Sequence, residues 1–203
     1  MNKDTVVLDI DGVLADYRLG LLYWIRQSYP ELAQKANKHL EKRDTWLNEE
    51  TLDITYRKWL EVLEMFRMSG GKQSLPRFEY AEELVNWIGA KGLSIVLLTS
   101  RPIDIYSNIY RDTIEWLRFN GLGQHLLLWS KAKAEIVFRL KLIDRLVFAV
   151  DDEYKHCEEY AKLGVKTYWL NHYKLKPLEM HENIVEIFHL SEIIALEGSS
   201  EKV

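Results

Sequence analysis

Val6-Val7-Leu8 is an unbroken apolar triplet that stops on Asp9-Ile10-Asp11-Gly12, and this pattern leaves few folds open. A strand of β-branched and aliphatic residues without polar alternation must be covered on both faces, which predicts the interior of a parallel sheet. Residues two apart in a strand share a side. Asp9 and Asp11 therefore stand together at the strand's carboxyl end, the edge where open α/β sheets bind their ligands. Gly12 lets the backbone turn sharply or approach a ligand closely. Two carboxylates at such range repel each other, and one pKa rises unless a cation sits between them. A Mg2+ ion and a shared acid/base role are both natural outcomes.

The chain downstream supplies the alternation that such a sheet needs. Asp16 is expected to cap a helix beginning near Tyr17. From there to residue 75 the sequence is helical in character, with Leu19, Leu22, Tyr23 and Arg26 on one face and Tyr56, Trp59, Leu60, Leu63 and Phe66 on another. A connection of about 55 to 60 helical residues is too long for an ordinary loop and predicts a separate lobe. Ser69-Gly70-Gly71 near its end reads as either a flexible joint or a helix terminator. Helix and strand then alternate regularly: helices near 81–90, 104–120, 131–143 and up to Leu163, and strands at 93–98, 126–129, 146–150 and 165–170. Residues 184–186 and 190–196 supply a closing strand or helix. The expected fold is α/β, a doubly wound (Rossmann-like) parallel sheet, with a core of residues 1–16 and 76–203 and a helical cap of residues 17–75 inserted after the first strand.

Composition narrows the setting. With 203 residues, 47% of them hydrophobic, the chain has enough apolar material for a full core. Its net charge of -4 provides no overall basic field for a nucleic-acid polymer, while small anions remain possible at local sites. Cys157 is the single cysteine, so no internal disulfide forms and a reducing compartment is favoured. No apolar run approaches the roughly 20 residues of a membrane span, and residues 1–4 do not resemble a signal peptide. A cytoplasmic protein with no membrane partner is expected.

Three strands end in polar residues at one sheet edge: Asp9 and Asp11, then Thr99 and Ser100, then Asp151 and Asp152. A helix that follows a strand begins at that same edge. Lys133 lies three and four residues before Ile136 and Val137, which are placed on a buried face with Leu140, so Lys133 rather than Lys131 is expected to overlook the site. Together these groups suit phosphate chemistry. Asp9 attacks phosphorus to form an aspartyl-phosphate, while Asp11 protonates the leaving oxygen and then activates water. Asp9, Asp151 and Asp152, with a backbone carbonyl of Asp11, hold Mg2+, and Thr99, Ser100 and Lys133 hold the non-bridging oxygens. Arg101, next to this pair, is a further candidate for substrate contact.

Asp9-Ile10-Asp11-Gly12-Val13-Leu14-Ala15-Asp16, Leu98-Thr99-Ser100-Arg101, Lys133 and Asp151-Asp152 resemble, in order, the four motifs of the haloacid dehalogenase-like (HAD) phosphatase superfamily. The helical insertion and the first motif are similar to those of its deoxyribonucleotidase members, which implies a nucleotide substrate. Lys133-Ala134-Glu135-Ile136-Val137-Phe138 and Leu163-Gly164-Val165-Lys166-Thr167-Tyr168-Trp169 instead resemble the 3′-phosphatase domain of phage polynucleotide kinases, which implies a nucleic-acid end and a repair role. Two readings of other classes share the parts list. One is a receiver-like phosphoacceptor, which has no lobe after its first strand; the other is a non-catalytic phosphate-binding protein.

Overall fold

A computed structural model describes residues 4–42 and 45–199. The opening apolar run forms β1 (Thr5–Leu8), joined by β2 (Ser94–Thr99), β3 (Leu126–Trp129), β4 (Leu146–Asp151), β5 (Thr167–Leu170) and β6 (Ile184–Ile187). All pairings are parallel, in the order β3-β2-β1-β4-β5-β6. This is the doubly wound order, and it reverses between β1 and β4. Each strand lies within two residues of its expected limits.

The helices among the described residues are α1 (Tyr17–Ser28), α2 (Ala33–Leu40), α3 (Tyr56–Met68), α4 (Ala81–Ala90), α5 (Ser107–Phe119), α6 (Lys133–Arg139), α7 (Tyr154–Lys162) and α8 (Ser191–Ser199). None is long and apolar enough to cross a membrane. The chain divides into two compact units. One holds the sheet with α4, α6, α7 and α8; the other comprises residues 16–76 and 101–124 and so includes α5 as well as α1 to α3.

In the sheet unit, alternation along the strands covers both faces. Val7, Val96, Leu98 and Ala149 pack against Ala134 and Val137 of α6 and Tyr160 of α7, while the intervening Val6, Leu8, Leu97, Phe148 and Val150 are also buried. α6 is shorter than expected because Lys141 adopts φ +53 and the Leu142 N–H turns back to the Val137 carbonyl at 3.0 Å, which stops the helix. Only a separate single turn, Ile143–Arg145, follows.

In the helical unit, Asp16 caps α1 as expected, accepting from the Leu19 N–H at 2.8 Å. The buried stripes match the expected faces in part, at Leu22, Trp59 and Phe66. Leu21, Leu22 and Ile25 are the buried apolar side chains of α1, and Trp59, Val62 and Phe66 those of α3, whereas Tyr23, Tyr56 and Leu60 are exposed. Gly70 terminates α3 with φ +82, and the Gly71 N–H returns to the Phe66 carbonyl at 3.0 Å. A Cβ on Gly71 would meet the Phe66 ring at 2.3 Å, so this glycine pair acts as a helix terminator.

Candidate active site

Strand register places the acidic residues. Val7 pairs with Ala149 and Leu8 with Val150, and the Asp9 N–H donates to the Val150 carbonyl at 3.0 Å. Two residues past Val7 and Ala149, Asp9 and Asp151 thus emerge side by side on the face that α6 covers. Lys133 is the first residue of α6 and directly precedes the packed Ala134, so its side chain enters between the two strands. Its Nζ lies 2.9 Å from Asp9 Oδ1 and 2.8 Å from Asp151 Oδ2, with 1% of the side chain exposed. Lys131 is exposed. Lys133, rather than Lys131, lies against Asp9 and Asp151, but the buried face differs from the expected one, since Leu140 is 48% exposed and the face runs through Lys133, Ala134 and Val137.

The segment after β1 is a closed turn. The Ile10 carbonyl accepts from the N–H groups of Leu14 at 2.9 Å and Ala15 at 2.7 Å, and the Gly12 N–H donates to the Ala15 carbonyl at 2.8 Å. Gly12 has φ +86, and a Cβ there would lie 2.1 Å from Asp152 Oδ2. Glycine is needed both for the backbone angle and for the close approach of that carboxylate.

One carboxylate oxygen each from Asp9, Asp151 and Asp152 lies within 4.8 Å of the others. The Asp11 side chain is not in this group; it follows β1 and is half-buried. Loss of hydration, reinforced by Asp151 and Asp11 and opposed by Lys133, pushes the Asp9 carboxyl up to about 7. Asp152 is raised well above the usual carboxylate range by burial and by the charges of Asp9 and Asp151. Burial alone would lower the Lys133 ammonium, but Asp9 and Asp151 raise it well above its ordinary value, so it stays charged. One ammonium is thus set against three crowded carboxyls, whose full ionisation would leave an excess of negative charge.

That excess fits a hard divalent cation bound through oxygen. Asp9 Oδ1 is buried, with the Lys133 ammonium 2.9 Å away as its charged partner. The three-carboxylate donor set points the same way.

Thr99 is buried as the last residue of β2, its carbonyl accepting from the Ser130 N–H at 3.0 Å, and half-buried Ser100 follows it. Arg101 belongs to the helical unit, where its Nη1 donates to Thr113 Oγ1 at 3.0 Å and its guanidinium lies 6.0 Å from the Trp116 ring centre. Arg18, on α1, donates to the backbone carbonyls of His39, Lys42 and Thr45.

Sequence reasoning missed the groups that hold the acidic pair. Trp169 Nε1 donates to the Asp152 carbonyl at 3.0 Å, Cys157 Sγ lies 3.5 Å from the Asp151 carbonyl, and the Glu153 N–H donates to Asp151 Oδ1 at 3.1 Å. It also missed His172, whose Nε2 is 2.6 Å from the Gly12 carbonyl oxygen. The available signal was positional, because β5 ends at Leu170 on the same sheet edge as β1, β2 and β4.

No protein-family model and no curated protein matches the chain. Solved structures do. A protein assigned as a phosphatase from Clostridium difficile superposes with a TM-score of 0.64 at 17% identity, over 97% of this chain and 99% of its own. A haloacid dehalogenase-like family hydrolase from Xanthomonas campestris gives 0.59 at 12% over the whole of both chains, and an L-2-haloacid dehalogenase gives 0.59 at 14% over 97% and 100%. The fold of this chain is that of the haloacid dehalogenase-like hydrolases.

Proposed function

We propose that this protein is a Mg2+-dependent phosphomonoesterase that forms an aspartyl-phosphate on Asp9, with a nucleotide as its substrate. The observation that carries the reading is the buried Lys133 ammonium shared by Asp9 and Asp151, beside the third carboxylate of Asp152. In the reaction Asp9 attacks phosphorus as the bond to the leaving oxygen breaks, and Asp11 gives that oxygen a proton. Asp11 then takes a proton from the water that attacks the aspartyl-phosphate, releasing inorganic phosphate and restoring Asp9. Lys133, Thr99 and Ser100 hold the non-bridging oxygens. Asp9, Asp151 and Asp152, with Asp11 beside them, would hold the ion, which when bound supplies neutralising positive charge for an anionic nucleophile meeting an anionic phosphoryl group.

Phosphate rather than haloacid chemistry is supported by the Asp151-Asp152 pair, since displacement of halide from a small acid gives no use to a metal-binding acidic group. The strand order also differs from the 2-1-3-4-5 order of receiver folds. The nucleotide assignment rests on the resemblance of the first motif to deoxyribonucleotidases, and a cytoplasmic setting accords with the lone, buried Cys157. The test is phosphate release, with Mg2+ or with chelator, from p-nitrophenyl phosphate, nucleoside 5′- and 3′-monophosphates and a 3′-phosphorylated oligonucleotide. Mg2+-dependent preference for mononucleotides is expected, with no turnover by Asp9→Asn. Preference for the oligonucleotide would move the substrate to nucleic-acid ends, and full activity in chelator or in Asp9→Asn would overturn the mechanism.

A further inference from the structure

His172 reaches Gly12 across 160 positions of the chain, its Nε2 2.6 Å from the Gly12 carbonyl oxygen. A carbonyl only accepts, so Nε2 carries the hydrogen. The imidazole lies against the Phe78 ring, with centres 4.7 Å apart and planes 31° apart, and meets the Tyr173 ring edge-on at 6.1 Å. Its donor nitrogen is therefore aimed by packing on an element outside the turn.

Gly12 is the place where the turn after β1 has most freedom, because no side chain restricts its torsions. Its N–H belongs to the peptide that follows Asp11 and is fixed by the Ala15 carbonyl at 2.8 Å. Its carbonyl belongs to the next peptide and is fixed by His172. These two hydrogen bonds clamp the peptide planes on either side of the glycine, and the residue directly before them is Asp11.

We propose that His172 is a positioning residue for Asp11, fixing through the Gly12 carbonyl the turn that aims the Asp11 carboxyl at the leaving-group oxygen. Its chemistry rests on the phosphomonoesterase reading. His172→Phe keeps a ring against Phe78 and removes the donor, whereas His172→Gln keeps an N–H donor at similar reach. The enzyme with Mg2+ is assayed on an alkyl phosphate, whose leaving group needs a proton, and on p-nitrophenyl phosphate, whose leaving group departs as the phenolate. For His172→Phe, kcat on the alkyl ester falls about 10- to 100-fold, the usual range for loss of an outer supporting contact. KM stays within about twofold and the aryl ester is affected several-fold less, as expected when proton donation is what suffers. His172→Gln recovers most of the loss, and nitrogen NMR of the imidazole shows hydrogen on Nε2.

Equal losses on both esters, a glutamine variant as poor as phenylalanine at an unchanged melting temperature, or a bare Nε2 would each overturn the positioning role. A wild-type enzyme inert toward both esters and toward nucleoside 5′- and 3′-monophosphates and the 3′-phosphorylated oligonucleotide would overturn the phosphomonoesterase reading itself. The two failures are thus distinguishable.

Discussion

Gly12→Ala separates the stability of the fold from the integrity of its acidic cluster. The added methyl has two separate costs. Holding a residue with a Cβ at φ +86 costs about 1–2 kcal/mol, a fall in melting temperature of roughly 2–8 °C for a chain of this size. The methyl would also lie 2.1 Å from Asp152 Oδ2 and 2.3 Å from its Cγ, well inside van der Waals contact. The obstruction is the far end of a rotatable side chain, so the carboxylate swings aside at small energetic cost. The stability loss stays near the backbone figure, while Asp152 leaves the group that it forms with Asp9 and Asp151. Calorimetry should therefore give a folded variant, and Mg2+ titration of phosphatase activity should show metal affinity weakened about tenfold or more. A cycle with Asp152→Ala isolates the clash. In that background Gly12→Ala should retain the backbone cost and have no further effect on Mg2+ dependence. Unchanged Mg2+ dependence in the single variant would refute the placement of Asp152 against Gly12.

Three further outcomes follow from the same geometry. Lys133→Met leaves two buried carboxylates without their shared ammonium and should cost about 3–5 kcal/mol, partly restored by Mg2+; an unchanged melting temperature would contradict the buried ion pair. Glu197 accepts from Lys166 at 2.7 Å and from Tyr168 at 2.5 Å. Burial would raise its carboxyl, but these partners hold it below its ordinary 4.5. A depressed carboxylate stabilises the fold above that value and ceases to do so as pH falls through the folded-state pKa, so Glu197→Gln should be the less stable protein at pH 7, with the gap closing in acid; a gap that does not vary with pH would count against this. Asp16→Ala removes the α1 cap and should cost about 1 kcal/mol in chemical denaturation, and a loss near zero would mean the cap bond is not made in solution.

How far the chain could be read depended on what each residue's position answers to. β1, β2 and β4 were legible because a strand buried on both faces has no polar alternation, and their ends announce themselves where carboxylates and hydroxyls begin. Asp16 was legible because capping is local. The buried sides of α1 and α3 were legible only in part, at Leu22, Trp59 and Phe66, since Tyr23, Tyr56 and Leu60 are apolar enough to mimic a core stripe, and only the packing partners decide which side faces inward. Lys133 was found although Leu140 misled, because α6 stops early at Lys141, whose positive φ no residue preference announces. His172 escaped notice because its role is set by a backbone carbonyl in a distant turn, and a carbonyl has no residue identity to read.

The strand order also determines when the protein becomes vulnerable. β1 sits mid-sheet, yet its first partner, β2, lies about 90 residues further along and its second, β4, about 140. At a synthesis rate of about 5–20 residues per second, roughly 7 to 28 seconds separate the emergence of β1 from that of β4. Throughout that interval an apolar strand has at least one open edge, the condition that invites wrong pairing between chains. Lys133 and Asp151 emerge late as well, so the constellation cannot exist on a partly made chain. Recovered activity in a refolding or translation experiment would therefore report completion of the sheet as well as chemistry.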